Sequence, residues 1–191
     1  MDWDLALHTT AAFITNTNQQ HYAGQAQLSY FAQLFAVVAM QAITPASGIA
    51  ALVAILRTLL GPEGAQGRTA SGEVAVGHFH VDLVRTIVRL LMPLSCVTAL
   101  LLAWQGVPST FEGARVVQPL DKGTVAEQRI PVGPVAPMVA IKQLGTNGGG
   151  WYGANSAVPM ENLTPVSNLV ETVAILLIPV ALLVMAADLT G

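Results

Sequence analysis

From Leu28 to Leu56 the chain carries no charged side chain. A bilayer's apolar core takes about 20 mainly apolar helical residues to cross. Backbone polar groups at that depth must be bonded inside the protein, so this run reads as a membrane helix. Thr44-Pro45-Ala46-Ser47-Gly48 sits near its middle, and the missing proline N–H predicts a kink or break there. Two further stretches approach the same length, about Val81 to Gln105 and about Pro165 to Ala187. In the first of these, Asp82, Arg85 and Arg89 occupy the opening turns and Leu90 to Trp104 is uncharged. Arg85 and Arg89 are four apart, share a helix face and are expected to snorkel to the headgroups. Charged residues make up 10% of the 191, where soluble domains average about 25%. The chain is therefore expected to be an integral, multi-pass membrane protein with lipid around it. A net charge of −3 gives no basic footprint for a nucleic-acid partner.

Two smaller readings follow from single residues. Cys96 is the one cysteine, so it forms no internal disulfide; within an apolar run it reads as a small buried hydrophobe. Asp2 and Asp4 stand where a signal peptide would carry basic residues.

Gly145-Thr146-Asn147-Gly148-Gly149-Gly150 precedes the third span. Consecutive glycines lose the most backbone freedom on ordering, so a chain that orders them needs backbone shapes that side chains forbid. A short helix, Met138 to Leu144, is expected to resume after Pro137 and run into this loop. Too short to span, it predicts a re-entrant hairpin, and irregular backbone at membrane depth survives where it is buried or lines water. Glycines at 148, 149 and 150 allow alternating φ signs, which turns successive carbonyls toward one axis and suits a dehydrated monovalent cation. The preceding helix would add its partially negative C-terminus.

The same plan opens the chain. Asp4 to Ile14 predicts a short helix, Thr15-Asn16-Thr17-Asn18 a polar loop, and Leu28 the start of a long one. Thr15-Asn16 and Thr146-Asn147 occupy equivalent places, and the repeated order of elements is the stronger sign of repetition. Hydroxyls of Thr15, Thr17 and Thr146 would add ligands, while Asn16, Asn18 and Asn147 either face the ion or brace the loop. The candidate ion-binding residues are thus Thr15, Asn16, Thr17, Asn18, Gly145, Thr146, Asn147, Gly148, Gly149 and Gly150. Glu171, inside the third span, either binds an ion or holds a neighbouring helix. The positive-inside rule does not decide orientation, because Arg115, Lys122, Arg129 and Lys142 in the outer segment offset the arginines of the connector.

Other motifs fail on context. Gly148 to Gly153 matches a dinucleotide fingerprint, but Pro159 and Pro165 follow where a helix should open. Trp151 stands where a phosphate-binding loop needs lysine. His8, His21, His78 and His80 lack metal-ligand spacing.

The string from Gly145 through Trp151-Tyr152-Gly153 to Pro165 closely resembles the potassium-binding A subunit of the Kdp potassium-transporting ATPase. Phe13 to Asn18, Ile130 to Val135 and Ala140 to Leu144 carry the resemblance across the chain. It implies an all-α membrane protein folded like a potassium channel, with four helix–pore loop–helix units of which about 1.5 are present here: three spans and two re-entrant pore helices. It implies potassium as transported ligand and no further cofactor, a bacterial inner-membrane location, a partner P-type ATPase that hydrolyses ATP, and a small accessory subunit. No catalytic residue is implied in this chain. By motif match, Thr15–Asn18 and Gly145–Gly150 are two filter segments; Gly149→Asp is expected to weaken potassium affinity or selectivity. Departures lie beside the filters: Gln19, Gln25, Trp151, Tyr152, Gly153, Val158 and Leu163 replace the family's usual residues. The expected division is 1–60 (first pore helix, filter, membrane helix), 61–80 (cytoplasmic connector) and 81–191 (second repeat, outer loop 106–136). The alternatives are a secondary transporter with broken helices, or a non-functional truncated fragment.

Overall fold

The computed structural model describes residues 1–17, 19–64, 77–120, 127–148 and 150–190. In chain order the main elements are α1 (Trp3–Ile14), α2 (Ala32–Leu60), α3 (Phe79–Trp104), an antiparallel ribbon of β1 (Ala114–Val117) and β2 (Gln128–Pro131), α4 (Val135–Leu144) and α5 (Pro165–Leu189). Most of the connector expected at 61–80, residues 65–76, lies outside the described residues.

Helices α2, α3 and α5 are long and apolar enough to cross a membrane, with mean hydropathies of 1.7, 2.0 and 2.6. At 1.5 Å per residue each exceeds the roughly 30 Å apolar thickness of a bilayer. Their outward faces carry Phe35, Leu59, Leu100, Leu169 and Leu183 exposed, as suits lipid or further protein rather than water. Cys96 is on this exposed surface of α3, so the expectation of a buried cysteine is corrected. Arg85 and Arg89 are exposed as well.

Proline governs the helix geometry in three ways. Within α2 the α-helix that starts at Val38 continues through Pro45 without a break. Within α3 a π-helical turn, Ile87–Leu91, ends just before Pro93. Proline crowds the carbonyl four residues back, here that of Arg89, and a widened turn relieves it. In α4 the helix begins at Val135, two residues ahead of Pro137 and earlier than the sequence suggested. The first turn has no intrahelical N–H bonds to lose, so proline is tolerated there.

Helix α4 is the buried centre. All of its residues except Pro137 are shielded, and it packs on α2, α3 and α5. Val135, Met138 and Val139 join Leu102, Val107 and Trp151 in one core; Ile141 and Leu144 join Ala46, Leu91 and Ile178 in a second. Thr164 Oγ1 donates to Gln105 Oε1 at 2.8 Å, tying the end of α3 to the start of α5. Arg57 of α2 pairs with Asp82 of α3 at 2.5 Å.

The segment expected as the outer loop 106–136 carries the two-stranded ribbon. Ala114 pairs with Pro131, Arg115 with Ile130, Val116 with Arg129 and Val117 with Gln128. Tyr30, two residues ahead of α2, fastens it by sharing its hydroxyl proton between the Val132 carbonyl and, at 2.9 Å, that of Glu112.

Candidate functional site

Helices α1 and α4 end in the same way. After α1, Asn16 N–H bonds the Phe13 carbonyl at 3.2 Å and Thr17 N–H bonds Ala12 at 2.9 Å. After α4, Thr146 N–H bonds Gln143 at 3.0 Å and Asn147 N–H bonds Lys142 at 2.9 Å. These paired bonds close a Schellman cap, whose turning residue takes the left-handed conformation. Asn16 (φ 51°) and Thr146 (φ 58°) are those residues. Asparagine tolerates the conformation; a β-branched threonine holds it at a cost. The caps align Asn16 with Thr146 and Thr15 with Gly145. Thr15-Asn16 and Thr146-Asn147 are therefore offset by one residue, which corrects the sequence-based equivalence.

Both loops are fastened to α2, and Pro45 explains how. Lacking an N–H, Pro45 leaves the Gln41 carbonyl without its helical donor. The Asn147 side chain supplies one, Nδ2 to Gln41 O at 3.0 Å. The neighbouring residue must be small: a Cβ on Gly145 would stand 2.9 Å from that carbonyl oxygen and 3.0 Å from Pro45 Cγ. On the other loop, Thr44 Oγ1 donates to Asn16 Oδ1 at 3.3 Å. Asn16, Gly145 and Thr146 line one cavity above Pro45, Gly48 and Ile49. Two helix C-termini end beside it, and their partial negative charge favours a cation there. Thr15 and Thr17 point their hydroxyls at each other, 2.5 Å apart. Asn18 and Gly149 lie outside the described residues.

The two loops also touch directly. Gln20 brackets Gly150, accepting from its N–H at 2.7 Å and donating to its carbonyl at 3.1 Å. Gly148 is left-handed (φ 67°), and its carbonyl accepts from Asn155 N–H at 2.7 Å. The carbonyls of Gly148 and Gly150 thus each spend one lone pair on the protein. Between the loops Tyr22, Gln41 and Asn147 line a small cavity. Burial raises the Tyr22 hydroxyl to about 12, so it stays neutral. Gln20→Ala would remove both bonds to Gly150 and is expected to cost about 1–3 kcal/mol. A lowered thermal midpoint in detergent checks this; an unchanged midpoint would count against the bracket.

A buried network closes the second loop. Lys142 and Glu161 are fully buried, with Nζ 3.3 Å from Oε2. Lys142 also donates to Ser156 Oγ, which donates to Glu161 Oε2 at 2.9 Å. Glu161 Oε1 accepts Tyr152 N–H at 2.7 Å. Lys142 is therefore a structural cation inside the fold, not one of the outer-segment charges. The aromatic departures are anchors: Trp151 is fully buried, 5.4 Å from the Tyr30 ring, and Tyr152 donates to the Pro131 carbonyl at 2.6 Å. Burial and the nearby Glu161 charge raise the Tyr152 hydroxyl to about 12, keeping it a donor. Glu171 is buried, and its Oε2 accepts from Gln143 Nε2 at 2.5 Å.

Gln20, Gln41, Lys142 and Glu161 escaped the sequence reading. Proline in an unbroken apolar run was the available sign for Gln41, since such a residue always frees a carbonyl four positions back.

Three membrane-crossing helices around a buried short helix define a polytopic membrane protein. The chain belongs to the family described as potassium-transporting ATPase A subunit, whose model matches residues 1–191. It is similar to the potassium-transporting ATPase potassium-binding subunit of Listeria monocytogenes serotype 4b (strain CLIP80459), at 46% identity over 97% of this chain and 31% of that protein. The subunits of the same name from Anaeromyxobacter dehalogenans and Pseudomonas putida are each 46% identical, covering 93% and 95% of this chain and 30% of their own lengths. The chain thus spans about a third of the curated relatives it matches.

Proposed function

We propose that this chain forms part of a potassium-binding, channel-like subunit of an ATP-driven uptake pump in a bacterial inner membrane. Family membership supports the ion and the pump, since relatives carry the name of a potassium-binding subunit. The observation that carries the reading is the meeting of two capped helix ends at one cavity, Asn16 from the first and Gly145-Thr146 from the second. Backbone and hydroxyl oxygens of modest field strength suit a dehydrated potassium ion. Residues 1–60 and 81–191 act as two units of the path, each with a short helix, a loop and a long helix, the second also with a preceding span, joined by 61–80. A P-type ATPase subunit would supply ATP hydrolysis, and a small accessory subunit would complete the complex.

The test is rubidium uptake by cells expressing the protein that carries this chain, with and without the ATPase partner. Uptake that needs the partner and ATP is the expected result. Uptake driven by an ion gradient in the partner's absence would instead make the protein a secondary transporter.

A further inference from the structure

A second cavity shares no lining residue with the one at Asn16 and Thr146. Gln143, Gly148, Asn155, Asn162, Asn168, Glu171 and Thr172 line it. One carboxylate oxygen of Glu171, Oε2, is satisfied by Gln143. The other, Oε1, has no hydrogen-bond partner among the described residues, although Glu171 is only 4% exposed.

The charges around Glu171 do not balance. Lys142 and Glu161 are both close enough to act on it electrostatically, so one ammonium serves two buried carboxylates. Ser156 also offers Glu171 a side-chain hydrogen bond. Its hydroxyl has one proton, however, and that proton is directed to Glu161 at 2.9 Å. Burying an uncompensated carboxylate is costly unless a proton or a cation joins it. Besides Ile175, the cavity that Glu171 lines offers the carboxamides of Gln143, Asn155, Asn162 and Asn168, the Thr172 hydroxyl and the Gly148 backbone, which include neutral oxygens. A monovalent cation with several weak oxygen ligands and one carboxylate meets both demands.

We propose that Glu171 Oε1 and the carboxamide-lined cavity beside Gly148 bind a monovalent cation at a site separate from the Asn16–Thr146 cavity. The assignment stands on Glu171 and does not require the loops to act as a filter. The cation would take the place of the missing donor at Oε1 and neutralise the excess carboxylate. Because Gln143 sits at the end of α4 and Gly148 in the following loop, occupancy would also steady that loop from behind.

The probe is the thallous ion, a potassium congener. The protein carrying this chain is purified with the subunits that accompany it, and thallous ions bound at saturation are counted for the wild type and Glu171→Gln. The variant keeps the shape and an oxygen that accepts from Gln143. Glu171→Asp and the thermal midpoint of each protein separate loss of a site from loss of the fold. The expected result is one thallous ion fewer in folded Glu171→Gln, and in Glu171→Asp a full count with one ion bound more weakly. Equal numbers in folded wild type and Glu171→Gln would overturn the Glu171 site and leave the loop reading standing. No thallous ion in either would overturn both. If Glu171→Gln does not fold, an Asp variant that folds with an unchanged count and affinity overturns the site, and weakened binding of one ion supports it.

Discussion

Lys142→Met is expected to remove most of the folded protein. The side chain is fully buried and holds Glu161 and Ser156 together. Removing one partner of a buried ion pair leaves the other charge uncompensated, at a cost of about 3–5 kcal/mol. Total stabilities are typically about 5–15 kcal/mol, so the loss is a large share. Replacing both partners, Lys142→Met with Glu161→Gln, removes both charges and is expected to recover much of the yield. Yield and thermal midpoint in detergent report the outcome. Equal behaviour of the single variant and wild type would show that the pair does not hold the loop.

The second large effect is expected at Gly150. A Cβ there would stand 2.5 and 2.7 Å from the two carboxylate oxygens of Glu161, and would also strike the Gly153 carbonyl oxygen. Neither neighbour yields easily, because Glu161 is fixed by Lys142, Ser156 and Tyr152. Gly150→Ala must therefore displace the loop or break the network, and with it the Gln20 bracket. The expected result is about a tenfold or greater loss of rubidium affinity in the uptake assay, equivalent to ~1.4 kcal/mol or more. Unchanged affinity with a folded protein would mean that this loop does not shape the ion site.

These two effects could not be read from sequence, and the reason is physical. Long uncharged runs marked α2, α3 and α5 because a membrane span is a one-dimensional property of apolar length. Short helices before Thr15 and Gly145 were also legible, as was the glycine requirement beside them. What the sequence hides is partner choice. Lys142 resembles any loop cation until Glu161, nineteen residues on, is folded against it. Pro45 announces a kink or break, but not that the carbonyl it frees is answered from 106 residues away by Asn147. The one-residue offset between the two loops depends on cap hydrogen bonds, which a two-residue identity cannot resolve. The ribbon at 114–117 and 128–131 is held by pairing across its own loop and by Tyr30, both nonlocal. Cys96 was misplaced because an apolar helix in lipid exposes apolar residues as readily as it buries them.

Asn16 and Gly145-Thr146 are proposed as walls of one potassium site. An experimental structure of the protein carrying this chain, determined with thallous ions in place of potassium, tests it most directly. Ion density is expected in the cavity that these residues share, against the ends of α1 and α4. Thallous density elsewhere on the protein, with that cavity empty, would contradict it.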